Sequence, residues 1–203
     1  MKYLFLYTVI SFLPIAMMAQ NGQNIAAASG LEKYKKLILL QPRKENQLTA
    51  SDTSSLILGR PLPTAIVPLD RLKKYQSGQS ADSIITDIDE LIYPVINGKD
   101  RSVSGTLTLT KKNDVWAATR FGADRAVIQS ATDSLSVPGR SYRLVKILAF
   151  HKSFLSYSDA GILMFIPLQE DSAHGIIKGR TITAASALEN YVKAANDYNG
   201  LPM

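Results

Sequence analysis

The sequence predicts an α+β domain in which an antiparallel meander sheet carries its helices on one face. Three observations lead there. Segments with helical and strand-like periodicity follow one another as helix, several strands, helix, several strands, helix. Residues Arg101 to Lys111 alternate apolar with polar positions just after Asn97-Gly98, the dipeptide favoured in tight hairpins. Of the 203 residues 46% are apolar, yet Met1 to Ala19 alone holds 15 of these, so about 42% of the rest is apolar, the ordinary share for a globular domain.

The leader comes first in the chain. Met1-Lys2-Tyr3 is a short basic start, and Leu4 to Met18 is an apolar run broken only by Thr8, Ser11 and Pro14. It is shorter than the ~20 apolar residues a spanning helix needs. Ala16-Met17-Met18-Ala19 before Gln20 offers small residues at a signal-peptidase site. Residues 1–19 are therefore expected to be a signal peptide cut between Ala19 and Gln20, with 20–30 a mobile leader and 31–203 a single domain. A secreted or periplasmic location follows, with no membrane span after cleavage. The chain has no cysteine and no Asn-x-Ser/Thr acceptor, absences that fit a bacterial export product.

Leu31, Tyr34, Leu37 and Ile38 recur at helical spacing, so the pattern predicts a helix over 31–40 ended by Pro42, then a polar loop to Ser55. Prolines at 61, 63 and 68 place residues 56–69 in an extended segment at a sheet edge. Ile92 to Ile96 is a strand, Asn97-Gly98 its turn, and Arg101 to Lys111 the return. Val103, Leu107 and Leu109 are expected to face the core, and Ser102, Ser104, Thr106, Thr108 and Thr110 the solvent. Lys111 to Asp114 is a turn, and Val115 to Phe121 carries Trp116 as a core anchor. Asp124 caps a helix to about residue 135, broken by Val137-Pro138-Gly139. Tyr142 to Tyr157 is a long β-type run, Asp159-Ala160-Gly161 a turn, Ile162 to Ile166 a strand covered on both faces, and 176–182 a further strand. Ser186 with Glu189 matches a capping box for a last helix burying Leu188, Tyr191, Val192 and Ala195, which Gly200 and Pro202 end.

The halves echo each other, as two degraded copies of one module would. Val67-Pro68-Leu69-Asp70-Arg71 parallels Leu148-Ala149-Phe150-His151-Lys152, and Tyr93-Pro94-Val95 parallels Ile166-Pro167-Leu168. With its Tyr-Pro-Val start, Asn-Gly turn, Trp116 on the returning strand and a helix to 135, the segment 92–135 resembles the layout of small PepSY-type or cystatin-like bacterial domains. The resemblance implies a secreted, non-catalytic module that restrains a protease or binds a peptide, and it assigns no functional residue.

Chemistry-bearing residues are sparse. His151 and His174 are the two histidines, in no metal-binding spacing, and neither a Gly-x-Ser-x-Gly elbow nor a Ser-x-x-Lys pair occurs. Asp82, Asp87, Asp89 and Glu90 form an acidic cluster that reads as a solvated loop. Gly175 and Gly179 lack the rest of a phosphate loop. Basic residues exceed acidic ones by six but are scattered in pairs such as Lys35-Lys36 and Lys73-Lys74, without a nucleic-acid stripe. No cofactor or metal is expected, and no nucleic acid partner. The first expectation is a non-catalytic binding protein for a protein or peptide, a protease inhibitor being one form, with Tyr142, Arg143, His151 and Tyr157 lining its surface. Two alternatives stand beside it: a hydrolase using His151, His174 or the acidic loop 82–90, and a structural part of a cell-envelope assembly.

Overall fold

The computed structural model describes residues 13–40, 53–122, 125–134 and 140–198. The expected features on Met1 to Phe12, on the 41–52 loop, at Asp124, at Val137-Pro138-Gly139 and at Gly200 to Pro202 lie outside them. The elements in order are α1 (Leu13–Leu40), β1 (Leu56–Leu58), β2 (Leu62–Ile66), α2 (Leu69–Lys73), β3 (Thr86–Asn97), β4 (Val103–Lys112), β5 (Val115–Phe121), α3 (Arg125–Ser134), β6 (Arg143–Ile147), β7 (Lys152–Asp159), β8 (Ile162–Pro167), β9 (Ile182–Thr183) and α4 (Ala184–Asp197). Single 3₁₀ turns occupy Ala81–Ile84, Leu148–Phe150 and Ser172–His174. The fold is α+β, as the periodicity predicts.

All strands join one sheet of order β5-β4-β3-β2-β6-β7-β8-β9, with β1 extending the β2 side of β3. Neighbours are antiparallel except β2 and β6, which run parallel through Thr64–Ile66 and Leu144–Lys146. Two four-stranded meanders therefore meet at one parallel seam, and each ends in a helix: β2 to β5 then α3, β6 to β9 then α4. A half-turn about an axis along the seam would exchange the halves and also the faces of the sheet. The helices obey that rule. Leu144 packs with Val127, Ile128 and Ala131 of α3, whereas its neighbour Val145 packs with Leu188 and Tyr191 of α4, and consecutive strand residues point to opposite faces. Helices thus cover both faces, not one. Of the two sequence echoes, Val67 and Leu148 each follow directly on a seam strand. Pro94 and Pro167 do not correspond, since β3 is the second strand of its half and β8 the third.

Four further expectations are corrected. Residues 20–30 are not a separate mobile leader. They are the middle of α1, where Ala27 is buried and Gly30 sits against Leu107 and Ala118, so that a Cβ there would come within about 3 Å of them. Sequence spacing showed only the helical stripe from Leu31 because the earlier part buries small residues, Ala26 and Ala27. The segment 56–69 is at an edge only in β1, which pairs with β3 alone; β2 is central. Pro63 is tolerated because the ladder with β6 begins only at Thr64 and the pairing with β3 bulges between Pro63 and Ala65. Asn97-Gly98 is not a two-residue turn. Asn97 ends β3, its Oδ1 accepts from Lys99 N–H and Ser55 Oγ–H, and the loop runs on to Arg101, which takes the positive φ of 62°. The hairpin with the expected two-residue geometry is the next one, at Asn113 and Asp114. The Tyr142 to Tyr157 run is broken at Leu148–Phe150, and His151 adopts φ 51° to start β7.

The middle of the hydroxyl side of β4 is buried rather than wet, while Ser102, Ser104 and Thr110 are half-exposed. Thr106 is 0% and Thr108 1% exposed, because α3 lies across that face with Ile92, Leu144 and Leu155. Strand 176–182 shrinks to β9 and an isolated bridge from Ile176 to Asp171. At α4 the cap is Thr183, whose Oγ1 accepts from Ser186 N–H.

Candidate functional site

A cleft of about 390 Å³ opens at the head of β6, where it faces the tail of β7. Tyr142, Arg143 and Tyr157 line it, with Pro63 from β2, Asp82 from the Ala81–Ile84 turn and Asp87 from β3. Register explains the convergence. Arg143 is paired with Ser156, so Tyr142 and Tyr157 flank that pair at one end of the two strands. Thus the sheet brings together three of the four residues expected to bind.

Arg143 is anchored through all three of its nitrogens. Its Nη2 donates to Asp82 Oδ1 at 2.5 Å, Nη1 to Asp87 Oδ1 at 3.0 Å, and Nε to Ser156 Oγ at 3.3 Å. Its charge is outnumbered by the two carboxylates, whose side chains are 61% and 76% exposed, so the mouth of the cleft is acidic. The tyrosine rings meet edge-on at 5.6 Å, and both are buried against Leu144 and Leu155. The guanidinium of Arg140 lies 4.1 Å over the Tyr157 ring, a cation–π contact that keeps the ring at the cleft wall. Tyr142 and Tyr157 are therefore core residues whose edges reach the site.

The acidic stretch 82–90 is not a loop. It is a 3₁₀ turn and the first half of β3, and its carboxylates are dispersed by the pleat. Asp82 and Asp87 hold Arg143, whereas Glu90 points to the other face and holds Lys146 at 3.2 Å and Arg120. The sequence shows this cluster but not its partners, which lie 56 to 61 residues away for Arg143.

His151 does not join the cleft. It is exposed at the far end of β6, beyond Ile147. His174 is elsewhere again, in a buried polar network at the foot of α4. Its Nδ1 donates to Asp171 Oδ2 at 3.0 Å, which also accepts from Tyr191 Oη–H at 2.8 Å and pairs with Lys152 Nζ at 3.1 Å. The His174 ring stacks on Tyr191 with centroids 4.6 Å apart. Burial alone would raise the Asp171 pKa, but the bonds from His174, Tyr191 and Lys152 outweigh it and hold the carboxyl below its usual range. Burial, then the bond to Asp171, pushes the Tyr191 phenol far up. This is a tertiary clamp joining the 3₁₀ turn Ser172–His174 to α4 and β7.

Among the described residues no group of three or more His, Asp or Glu side chains converges as a metal site, and no helix is long and apolar enough to cross a membrane. Comparison of the chain with protein-family models, with curated proteins and with solved structures yields no match.

Proposed function

We propose that the protein is a secreted or periplasmic, non-catalytic binding protein whose cleft at the head of β6 recognises a protein or peptide segment, with restraint of a protease as one form of that activity. The observation that carries this reading is the locked state of the cleft. Each nitrogen of Arg143 is anchored by one bond, to Ser156, Asp87 or Asp82, an arrangement suited to rigid display rather than proton transfer. The acidic rim with aromatic edges favours a segment bearing lysine or arginine. The likeness of 92–135 to PepSY-type or cystatin-like domains supports the same class.

The test is fluorescence-polarisation binding of extended peptide pools that differ only in basic or acidic character. Basic peptides should bind, and Asp82→Asn combined with Asp87→Asn should weaken them about tenfold or more, since hydrogen bonds to charged groups are worth roughly 1.5–3 kcal/mol each. Equal binding of acidic and basic pools would sink the proposal.

Export is part of the proposal and has its own check. Ala19 and Gln20 lie inside α1, so cleavage there has to precede completion of the helix. Intact-mass measurement of protein recovered from a bacterial periplasm should give a chain starting at Gln20. A chain retaining Met1 to Ala19 would refute it.

A further inference from the structure

We infer a second binding site, independent of the cleft, for a small carboxylate at the carboxyl end of β6. A depression of about 170 Å³ lies there, in the bend from β6 to β7, lined by Lys146, Leu148, His151, Lys152, Ser153 and Gln169. Lys146 and Ser153 also wall a small recess of about 30 Å³ beneath α3, next to Thr106, Thr108 and Arg120. That recess has room for about one or two waters.

The lining has unmet hydrogen-bonding capacity of both kinds. Lys146 Nζ donates to Glu90 Oε1 at 3.2 Å, and Lys152 Nζ bonds Asp171 Oδ2 at 3.1 Å and Glu170 O at 3.4 Å. An ammonium carries three donors, so each lysine keeps at least one to give. Among the described residues the Ser153 hydroxyl and the His151 imidazole have no partner. Gln169 Oε1 is buried without a donor. Buried polar atoms are rarely left unmet, and Gln169 Oε1 in the wall of this depression marks a place where a polar ligand or water belongs.

Charge and acceptor count choose the ligand. Lys146, Lys152 and Arg120 against Glu90 and Asp171 leave one net positive charge, which matches a monoanion. A carboxylate takes up the donors of Lys146 and Ser153, which are cross-strand partners on one face, and an N–H on the adjoining atom gives Gln169 Oε1 the donor it lacks. That is the end group of an N-acylated amino acid or a peptide. Inorganic phosphate, whose donors are O–H groups rather than an amide N–H, is the competing anion.

The experiment is an NMR titration of the ¹⁵N-labelled full chain with N-acetylglycine, N-acetylglycinamide and inorganic phosphate at matched ionic strength. N-acetylglycine should give saturable shifts in the amides of Lys146, His151 to Ser153 and Gln169, and the amide analogue none. Ser153→Ala and His151→Ala should each weaken binding about tenfold. His151 is exposed, so its variant keeps the fold even if Ser153→Ala does not. The inference is overturned by no saturation up to about 50 mM, by phosphate binding more tightly than N-acetylglycine, or by unchanged affinity in His151→Ala. Because the probe carries no basic side chain, the outcome is separate from the fate of the cleft reading.

Discussion

Replacing Asp171 with alanine is expected to cost about 3 kcal/mol of folding stability and, for a chain of this size, to lower Tm by roughly 6–12 °C. One carboxylate oxygen serves Tyr191, His174 and Lys152 together. Its loss leaves a phenol hydroxyl unpaired in the fully buried ring of Tyr191, which also contacts Phe150 and Phe154. Tyr191→Phe removes the hydroxyl and its bond together, so it should cost far less than Asp171→Ala, about 1 kcal/mol. Urea denaturation of the pair measures both, and a loss under 1 kcal/mol in the alanine variant would show that the clamp is ornamental. The same carboxylate sets an acid limit. A carboxyl whose folded pKa lies below its unfolded value stabilises fully above the unfolded pKa, about 4, and the contribution fades as pH falls through the folded value. The wild-type urea midpoint should therefore drop steeply below about pH 4, and the Asp171→Asn profile should be flatter over that window.

Tyr34→Ala is the second large effect, about 3 kcal/mol by cavity formation. Tyr34 is buried and stacks on Phe121 with ring centroids 6.0 Å apart. Its hydroxyl reaches the backbone of Ser104 over Gly105, where any Cβ would collide with it. With Ala27 it anchors α1 to β4 and β5. Hydrogen exchange should show α1 amides losing protection in the variant while the β6 to β8 amides keep theirs. Uniform loss across the sheet would mean that α1 is integral to one cooperative core rather than docked on it.

Local patterns carried much of the fold in the sequence. Asp159-Ala160-Gly161 with its flanking strands, the 125–134 helix and the buried stripe Leu188, Tyr191 and Ala195 of α4 are all set by neighbours within a few residues. What failed depends on distance along the chain. The hydroxyls of Thr106 and Thr108 read as a wet face because nothing local announces that α3 will fold over them. Pro63 read as an edge signal because its bulge is made with β3, about 28 residues away. The cleft was legible in Tyr142, Arg143 and Tyr157, which share two adjacent strands. The ion pairs of Arg143 and the split of His151 from its companions were not, since a break at Leu148–Phe150 decides the second and long-range register the first.

The seam between the halves also governs how the chain must assemble. Every other strand pairing in the two meanders joins sequence neighbours, whereas Thr64 meets Leu144 across 80 positions. By the logarithmic dependence of closure entropy on length, that ladder costs about 2–3 kcal/mol more to close than a short hairpin. Ala65 and Val145, both fully buried, are the residues whose dehydration offsets it. Hairpin zippering within each meander is therefore expected to come first, with the union of the two local sheets at three residue pairs the slower step.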